Sequence, residues 1–132
     1  MAEKNIGYIA CSGEECLGGT LSRLVVRKMM EELRPGQVST LCLPLFIAGG
    51  EQEQAFAQTH PTISVDGCSK CCAKRATEAL SGQLAGSIDI EALIGSELAL
   101  NPDLLSMRDL TPEHFALVDR IAQKACDFFD RL

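Results

Sequence analysis

Short apolar runs alternate along the chain with segments in which apolar residues recur at helical spacing. The runs Asn5–Cys11, Val38–Leu43 and Thr62–Asp66 predict buried strands, because each is short and ends at serine, glycine or proline. The segments Thr20–Leu33 and Lys70–Ser81 predict helices that follow the first and third strands. This alternation predicts an α/β fold: an open, mostly parallel sheet with helices on both faces, Rossmann-like or flavodoxin-like.

The other segments give less uniform signals. Glu51–Gln58 predicts a short helix, Ser87–Ile94 fits a strand and a helix equally well, and the stretch from Gly95 to Asp109 is mostly irregular. A final helix is well marked, because Thr111 is a good N-cap and is followed by proline. Its predicted buried face consists of Phe115, Val118, Ala122, Ala125, Cys126 and Phe129.

The length and the charge of the chain argue against several classes of function. A chain of 132 residues without linker-like composition predicts one domain over residues 1–132. With 18 acidic and 12 basic residues, the chain lacks the basic surface that nucleic acids require. No apolar run approaches the roughly 20 residues of a membrane span, and the polar start Met1–Asn5 lacks a secretory signal. We therefore expect a cytoplasmic protein that binds neither nucleic acid nor membrane.

Seven cysteines are the unusual feature of the composition, and in a reducing cytoplasm clustered thiols indicate metal or redox chemistry. Cys11 closes the first predicted strand, Cys42 lies near the end of the second, and Cys68 follows the third. The carboxyl ends of parallel strands form one crevice, with neighbouring strands about 4.8 Å apart. Cys71 or Cys72, in the first turn of the next helix, would complete a zinc shell of sulfurs roughly 3.8 Å apart.

Charge at the start of that helix supports the same site. The N–H groups and helix dipole at residues 70–73 are expected to favour thiolate at Cys71 or Cys72. Lys74 and Arg75 would offset surplus negative charge, although Arg75 also fits an ordinary solvated face. Asp66 is a candidate base, or a residue that holds the turn at Gly67 by accepting backbone N–H bonds.

Several short motifs resemble the DGC-domain family, small bacterial and archaeal proteins described as zinc-binding and without a settled activity. The resemblance covers roughly residues 6–130 and is loosest from 82 to 109. The matching motifs are Asp66-Gly67-Cys68, Cys72-Ala73-Lys74, Cys11-Ser12-Gly13, Cys42-Leu43-Pro44 and Leu110-Thr111-Pro112-Glu113.

The resemblance implies zinc as the cofactor and implies a particular ligand set. The family's four proposed ligands fall on Cys11, Cys42, Cys68 and Cys72. Cys16 and Cys71 stand at variable positions of the family and are alternative ligands or redox thiols. Cys126 lies on the apolar face of the last helix, where we expect core packing only.

The loop from Gly13 to Thr20 has the spacing of a phosphate-binding P-loop, but Gly19 replaces the essential lysine. Glu14 and Glu15 would also repel phosphate, so the sequence does not favour nucleotide binding. We expect instead that the glycines bring the backbone close to the cysteines, where N–H groups can donate to sulfur. The residues predicted to support the metal ligands are Ser12, Gly13, Asp66, Gly67 and Lys74.

Three alternatives to a zinc protein remain open from the sequence. Thiolate ligands suit an iron–sulfur cluster as well as zinc. Cys68 with Cys71, a C-x-x-C pair, or with Cys72 would suit thiol-disulfide exchange. A non-catalytic module that binds another protein is also compatible. His60 and His114, the two histidines, are expected at the surface and not as ligands.

Overall fold

The computed structural model describes residues 4–11, 13–81, 83–104 and 106–132. Within them lies a four-stranded, all-parallel sheet with the strand order β2-β1-β3-β4. The predicted α/β fold with a parallel sheet is therefore confirmed. The strands are β1 (Ile6–Ala10), β2 (Val38–Thr40), β3 (Thr62–Asp66) and β4 (Leu84–Asp89).

Helices connect these strands. A π-helical turn, Met29–Leu33, extends α1, and a short 3-10 helix, Met107–Asp109, precedes the last helix. The α-helices are α1 (Leu17–Lys28), α2 (Leu43–Ile47), α3 (Glu51–Thr59), α4 (Cys72–Leu80), α5 (Ile90–Ile94), α6 (Ser96–Ala99) and α7 (Pro112–Arg131).

Both faces of the sheet are covered by helices. Tyr8 packs in the larger core with α1 and α7, and its Oη donates to the carbonyl oxygen of Ala125 over 2.7 Å. The next residue, Ile9, points to the opposite face and joins a smaller core with Phe46 of α2 and Ala73 of α4. This alternation follows from the two-residue period of a strand, and burial on both faces explains the apolar character of β1.

The strand order creates a switch point between β1 and β3. From β1 the chain passes through α1 to β2 on one side; from β2 it passes through α2 and α3 to β3 on the other. Loops after β1 and β3 therefore diverge, which leaves a crevice at their carboxyl ends, where ligands bind in folds of this type.

Two boundaries differ from the sequence prediction in ways that matter for the cysteines. The second strand ends at Thr40, and Cys42 is the N-cap of α2, because Pro44 can occupy the first turn of a helix without losing a hydrogen bond. The helix predicted over Lys70–Ser81 begins at Cys72, and Cys71 precedes it in a left-handed conformation with φ 53°. Cys71 therefore lies outside the first helical turn.

In the last third of the chain, the structure shows which elements the ambiguous sequence patterns form. Ser87–Ile94 contains both predicted types, since β4 ends at Asp89 and α5 starts at the next residue. The last helix begins after Thr111 as predicted, although its face differs at Phe115, which is 40 % exposed. In the described part of the chain, no helix combines the length and the apolar character needed to cross a membrane.

Candidate metal and thiol site

Cys11 lies at the switch point, directly after β1. Its backbone N–H donates to the carbonyl oxygen of Val65 in β3 over 3.0 Å, which extends the ladder by one residue. Its Sγ accepts the N–H of Gly13 at 3.4 Å and the N–H of Gly67 at 3.3 Å, and it lies 3.5 Å from the Ser22 hydroxyl. Backbone N–H groups aimed at a sulfur in this way are the kind of donor that accompanies metal-bound cysteine in proteins, and here they come from the loops after both β1 and β3.

The loops after β1 and β3 are held together by direct backbone contact. A Cβ atom added to Gly18 would lie 2.1 Å from the carbonyl oxygen of Gly67, and one added to Gly67 would lie 2.3 Å from the carbonyl carbon of Gly18. A Cβ at Gly19 would likewise lie 2.1 Å from the carbonyl oxygen of Gly13. Only glycine allows this approach, which brings the Gly67 N–H to Cys11.

Cys68 follows Gly67 and is half-buried, and four other thiols lie near enough to interact with it electrostatically: Cys11, Cys16, Cys71 and Cys72. Burial raises the pKa of the Cys68 thiol, a backbone N–H bond from Lys70 lowers it, and the negative charges of Cys16, Cys11 and Cys72 raise it further. Cys16 is the N-cap of α1, and Cys72 is the first residue of α4. The structure thus brings five thiols, Cys16 and Cys71 among them, to the region of the switch point.

The loop that carries Cys68 is anchored to the end of β4. The backbone N–H of Ser69 donates to Glu91 Oε1 over 3.0 Å, and the Ser69 hydroxyl donates to Asp89 Oδ2 over 2.9 Å. Neither contact was predicted from the sequence, although Asp89 ends β4 as Asp66 ends β3; Glu91 lies in the first turn of α5. The two contacts fix the loop that carries Cys68, a predicted ligand, to the end of β4 and the start of α5.

Cys42 is exposed at the start of α2, beyond the edge strand β2. The charge of Cys42 is not among the charges that perturb the pKa values of Cys68, Cys71 and Cys126. Among the described residues, no three His, Cys, Asp or Glu side chains lie where they could hold one metal ion. The set Cys11, Cys42, Cys68 and Cys72 is therefore not assembled around an ion position, and it stays a prediction.

The expected effect of the α4 N-terminus on the thiols is wrong for Cys71. The carboxylate of Asp66 accepts the N–H groups of Ala73 at 2.8 Å and Lys74 at 3.1 Å, so these groups are not available to a thiolate. Burial raises the pKa of the Cys71 thiol, and the charges of Asp66 and Asp89 raise it further. Asp66 thus caps α4 rather than holding the turn at Gly67.

The carboxyl of Asp66 is itself perturbed. Burial raises its pKa, while the bonds from the Ala73 and Lys74 N–H groups and the charge of Lys74 lower it. Lys74 was predicted to support the thiols by its positive charge. In the structure this charge also lowers the pKa of Cys71. Ser12, another predicted supporting residue, lies outside the described residues.

The remaining candidates have structural roles. His114 Nδ1 accepts the backbone N–H of Thr111 and closes the cap of α7, and His60 stacks on Phe56 with ring centroids 4.1 Å apart. Cys126 is 4 % exposed in the larger core, which confirms its predicted packing role. Arg23, which the sequence analysis did not consider, donates to the carbonyl oxygen of Gly13 over 3.1 Å and steadies the first loop.

The fold and the thiols define a flavodoxin-like α/β protein with cysteines at the carboxyl edge of its parallel sheet. A model of the DGC domain family matches residues 8–103, about three quarters of the chain. The chain therefore belongs to the DGC domain family. Searches of curated proteins and of solved structures found no match to it.

Proposed function

We propose that this protein binds zinc through the thiolates of Cys11, Cys42, Cys68 and Cys72 and serves in metal handling. The observation that carries the proposal is the environment of Cys11, whose sulfur accepts two backbone N–H groups at the switch point of the sheet. Such donors accompany metal-bound sulfur in proteins, because they offset part of its negative charge. The donor set fits zinc in kind, since thiolate is among its preferred ligands.

The exposure of two ligands supports an exchangeable site. Cys42 and Cys72 are exposed, whereas Cys11 and Cys68 are half-buried and anchored by backbone contacts. We infer that Cys11 and Cys68 form the fixed part of the site and that Cys42 and Cys72 are recruited when the ion binds. Exposed ligands also allow another protein's thiol to take over the ion, which suits metal transfer better than a permanent structural role.

When bound, zinc would offset part of the negative charge of the thiolates within a closed four-sulfur shell. A closed shell leaves no position for water or substrate, so it favours handling, sensing or structural roles over hydrolysis. The chain's own contribution is to present the sulfurs, to donate N–H groups to Cys11 and to place the ammonium of Lys74 near Cys71. Because ligand thiols must lose their protons, affinity is expected to rise with pH.

Metal analysis of protein purified under reducing conditions without added metal tests the proposal. We expect close to one equivalent of zinc, and less than about a tenth of an equivalent of zinc together with less than about a tenth of an equivalent of iron would reject a metal site. The absorption spectrum of anaerobically purified protein separates the two metals, because zinc is colourless and an iron–sulfur cluster is not.

Single substitutions then test the ligand set by competition with a zinc chelator. Cys42→Ser and Cys72→Ser are each expected to weaken zinc binding at least tenfold, in line with the loss expected for perturbing a metal site. Cys126→Ala, which removes a buried thiol from the core, is the matched control and should leave zinc affinity unchanged. Retention of full affinity in Cys42→Ser would remove that residue from the set and favour Cys16.

Thiol-disulfide exchange is the second candidate, supported by the short turn between Cys68 and Cys71. The backbone N–H of Cys71 donates to the carbonyl oxygen of Cys68 over 3.1 Å, and each thiol lies within electrostatic range of the other. Burial raises the pKa of both thiols, which disfavours the nucleophilic form at neutral pH. A redox protein would lose two of seven titratable thiols reversibly on mild oxidation; seven thiols before and after would reject this candidate.

A further inference from the structure

A shallow cavity of about 180 Å³, open to solvent, lies between α1 and the carboxyl ends of β1 and β2. This volume is more than ten times the roughly 10–15 Å³ that one water molecule requires by a comparable measure. The space can therefore hold a group of several atoms. Its lining consists of Ala10, Arg23, Val26, Arg27, Thr40 and Leu41.

The lining carries two positive charges and no carboxylate. Arg23 and Arg27 stand one helical turn apart on α1, a spacing at which like charges repel. Arg27 is paired with Glu31 outside the cavity, whereas Arg23 has no acidic partner among the described residues. One N–H of Arg23 binds the carbonyl oxygen of Gly13, which leaves four of the five guanidinium donors for other acceptors.

The remaining walls define the size and chemistry of an occupant. Ala10, Val26 and Leu41 are apolar, and the hydroxyl of Thr40 already donates to the carbonyl oxygen of Tyr8 over 2.9 Å. The side-chain donors that remain for a ligand are therefore those of Arg23 that do not bind Gly13 and those of Arg27 that do not bind Glu31. Planar guanidinium forks match carboxylate and tetrahedral oxyanions, which accept two parallel hydrogen bonds.

We propose that this cavity binds the anionic group, an oxyanion or a carboxylate, of a small molecule. The rest of the ligand would lie towards the thiols, because Ala10 directly precedes Cys11 and Leu41 directly precedes Cys42. Arg23 also joins the cavity to the first loop, since it contacts Gly13, whose N–H donates to the sulfur of Cys11. The inference goes beyond zinc binding and does not depend on it.

The overall negative charge of the chain makes nonspecific binding of anions unfavourable. The chain carries a net charge of −6, so its mean field repels anions and disfavours adventitious binding. An anion that binds saturably must therefore overcome this repulsion locally. Arg23, which has no acidic partner among the described residues, supplies most of that local field, and Arg27 adds to it in part because Glu31 offsets some of its charge.

Titration of the reduced, zinc-free protein with inorganic phosphate, sulfate and acetate tests the inference at constant ionic strength. We expect saturable shifts of the backbone amide resonances of Ala10, Thr40 and Leu41. Saturation with phosphate and sulfate but not acetate identifies a tetrahedral oxyanion as the ligand group, and the reverse identifies a carboxylate. Absence of saturation with all three anions would overturn the proposal.

Substitutions of the two arginines test whether their side chains supply the free energy of anion binding. Arg23→Gln and Arg27→Gln are each expected to weaken the anion's affinity about tenfold, because each removes charge-assisted hydrogen bonds. Arg108→Gln removes the same charge from an exposed residue outside the cavity lining, and it should change the affinity less than twofold. Equal weakening by Arg108→Gln would reduce the effect to general electrostatics and refute the site.

Two further comparisons remove the remaining ambiguities. Since Arg23 also supports the first loop, Arg27→Gln decides the outcome if Arg23→Gln disturbs the fold: retained affinity in Arg27→Gln then refutes the site. Repeating the titration on Cys42→Ser separates the two proposals. Anion binding that persists in this variant while zinc binding is lost shows that the cavity binds its ligand independently of the proposed metal site.

Discussion

Replacement of Gly18 by alanine tests whether the backbone contact between the first and third loops determines stability. Gly18 lies in the first turn of α1, where alanine would ordinarily stabilise the helix by about 0.5–1 kcal/mol relative to glycine. Helix propensity alone therefore predicts a more stable protein. The packing at this position predicts the opposite.

The magnitude follows from the position of the added methyl group. Its carbon would lie 2.1 Å from the carbonyl oxygen of Gly67 and 2.8 Å from the carbonyl carbon. Both atoms belong to the backbone, so no rotation of a side chain relieves the contact, and the loops must separate by about 1 Å or more to reach ordinary contact distances. Overpacking of this kind costs up to about 3 kcal/mol, and subtraction of the helix gain leaves a net loss of about 2 kcal/mol.

The measurement is thermal unfolding followed by circular dichroism, on reduced protein in the presence of a chelator. A loss of about 2 kcal/mol predicts a Tm about 6–10 °C lower in a chain of this size. Gly86→Ala is the control: its Cβ would lie 2.6 Å from the ring of Phe128, a half-buried side chain that can rotate. We expect that variant to lose less than about 1 kcal/mol.

An unchanged or higher Tm in Gly18→Ala would refute the reasoning, because it would show that the loops separate without cost. A loss in Gly86→Ala as large as that in Gly18→Ala would also refute it. The distinction between rigid backbone and movable side chain would then have no energetic meaning here.

Tyr8→Phe removes the hydrogen bond to the Ala125 carbonyl and should cost about 1–2 kcal/mol in urea unfolding; no loss would show that this buried bond has no net value. Burial raises the pKa of Tyr8, so its contribution is fully present below pH about 10 and is lost as the pH rises further. Tyr8 is the single tyrosine of the chain, so phenolate absorbance should appear together with alkaline unfolding, and ionisation well before unfolding would contradict this. Asp66→Ala should cost about 1–2 kcal/mol, measured by urea unfolding, because the Ala73 and Lys74 N–H groups lose their acceptor; stability equal to the wild type would contradict the capping role.

The order of β1, β2 and β3 could be predicted because each of these strands is largely apolar and is followed by a strong breaker, whereas β4 has neither property and runs directly into α5. Gly67 after β3 and Thr111 before α7 mark boundaries that the structure reproduces. The predicted boundary of the second strand was wrong at Cys42. Apolar residues followed by Pro44 suggest the end of a strand, whereas in the structure Cys42 is the N-cap of α2 and Pro44 lies in its first turn. Local patterns cannot separate these outcomes, since proline suits both positions.

For the candidate site too, some features could be predicted from the sequence and others could not. Placement of Cys11 and Cys68 at one edge of the sheet follows from their positions after parallel strands. The contact of Gly18 with Gly67 does not follow from sequence, because it depends on which strands are neighbours. The effect of Asp66 on α4 was also missed, since an acid before a turn has several local partners available to it.

The edge position of β2 gives the cysteine-bearing loops unequal freedom to open. β2 is three residues long and pairs only with β1, whereas β1 and β3 are paired on both sides within the described sheet. Short, singly paired segments open locally at low free energy while the rest of a protein stays folded. Opening of this edge would carry Cys42 away and leave Cys11 and Cys68 in place. An ion at the proposed site could then leave by a hinge-like route, one ligand at a time, without unfolding of the core.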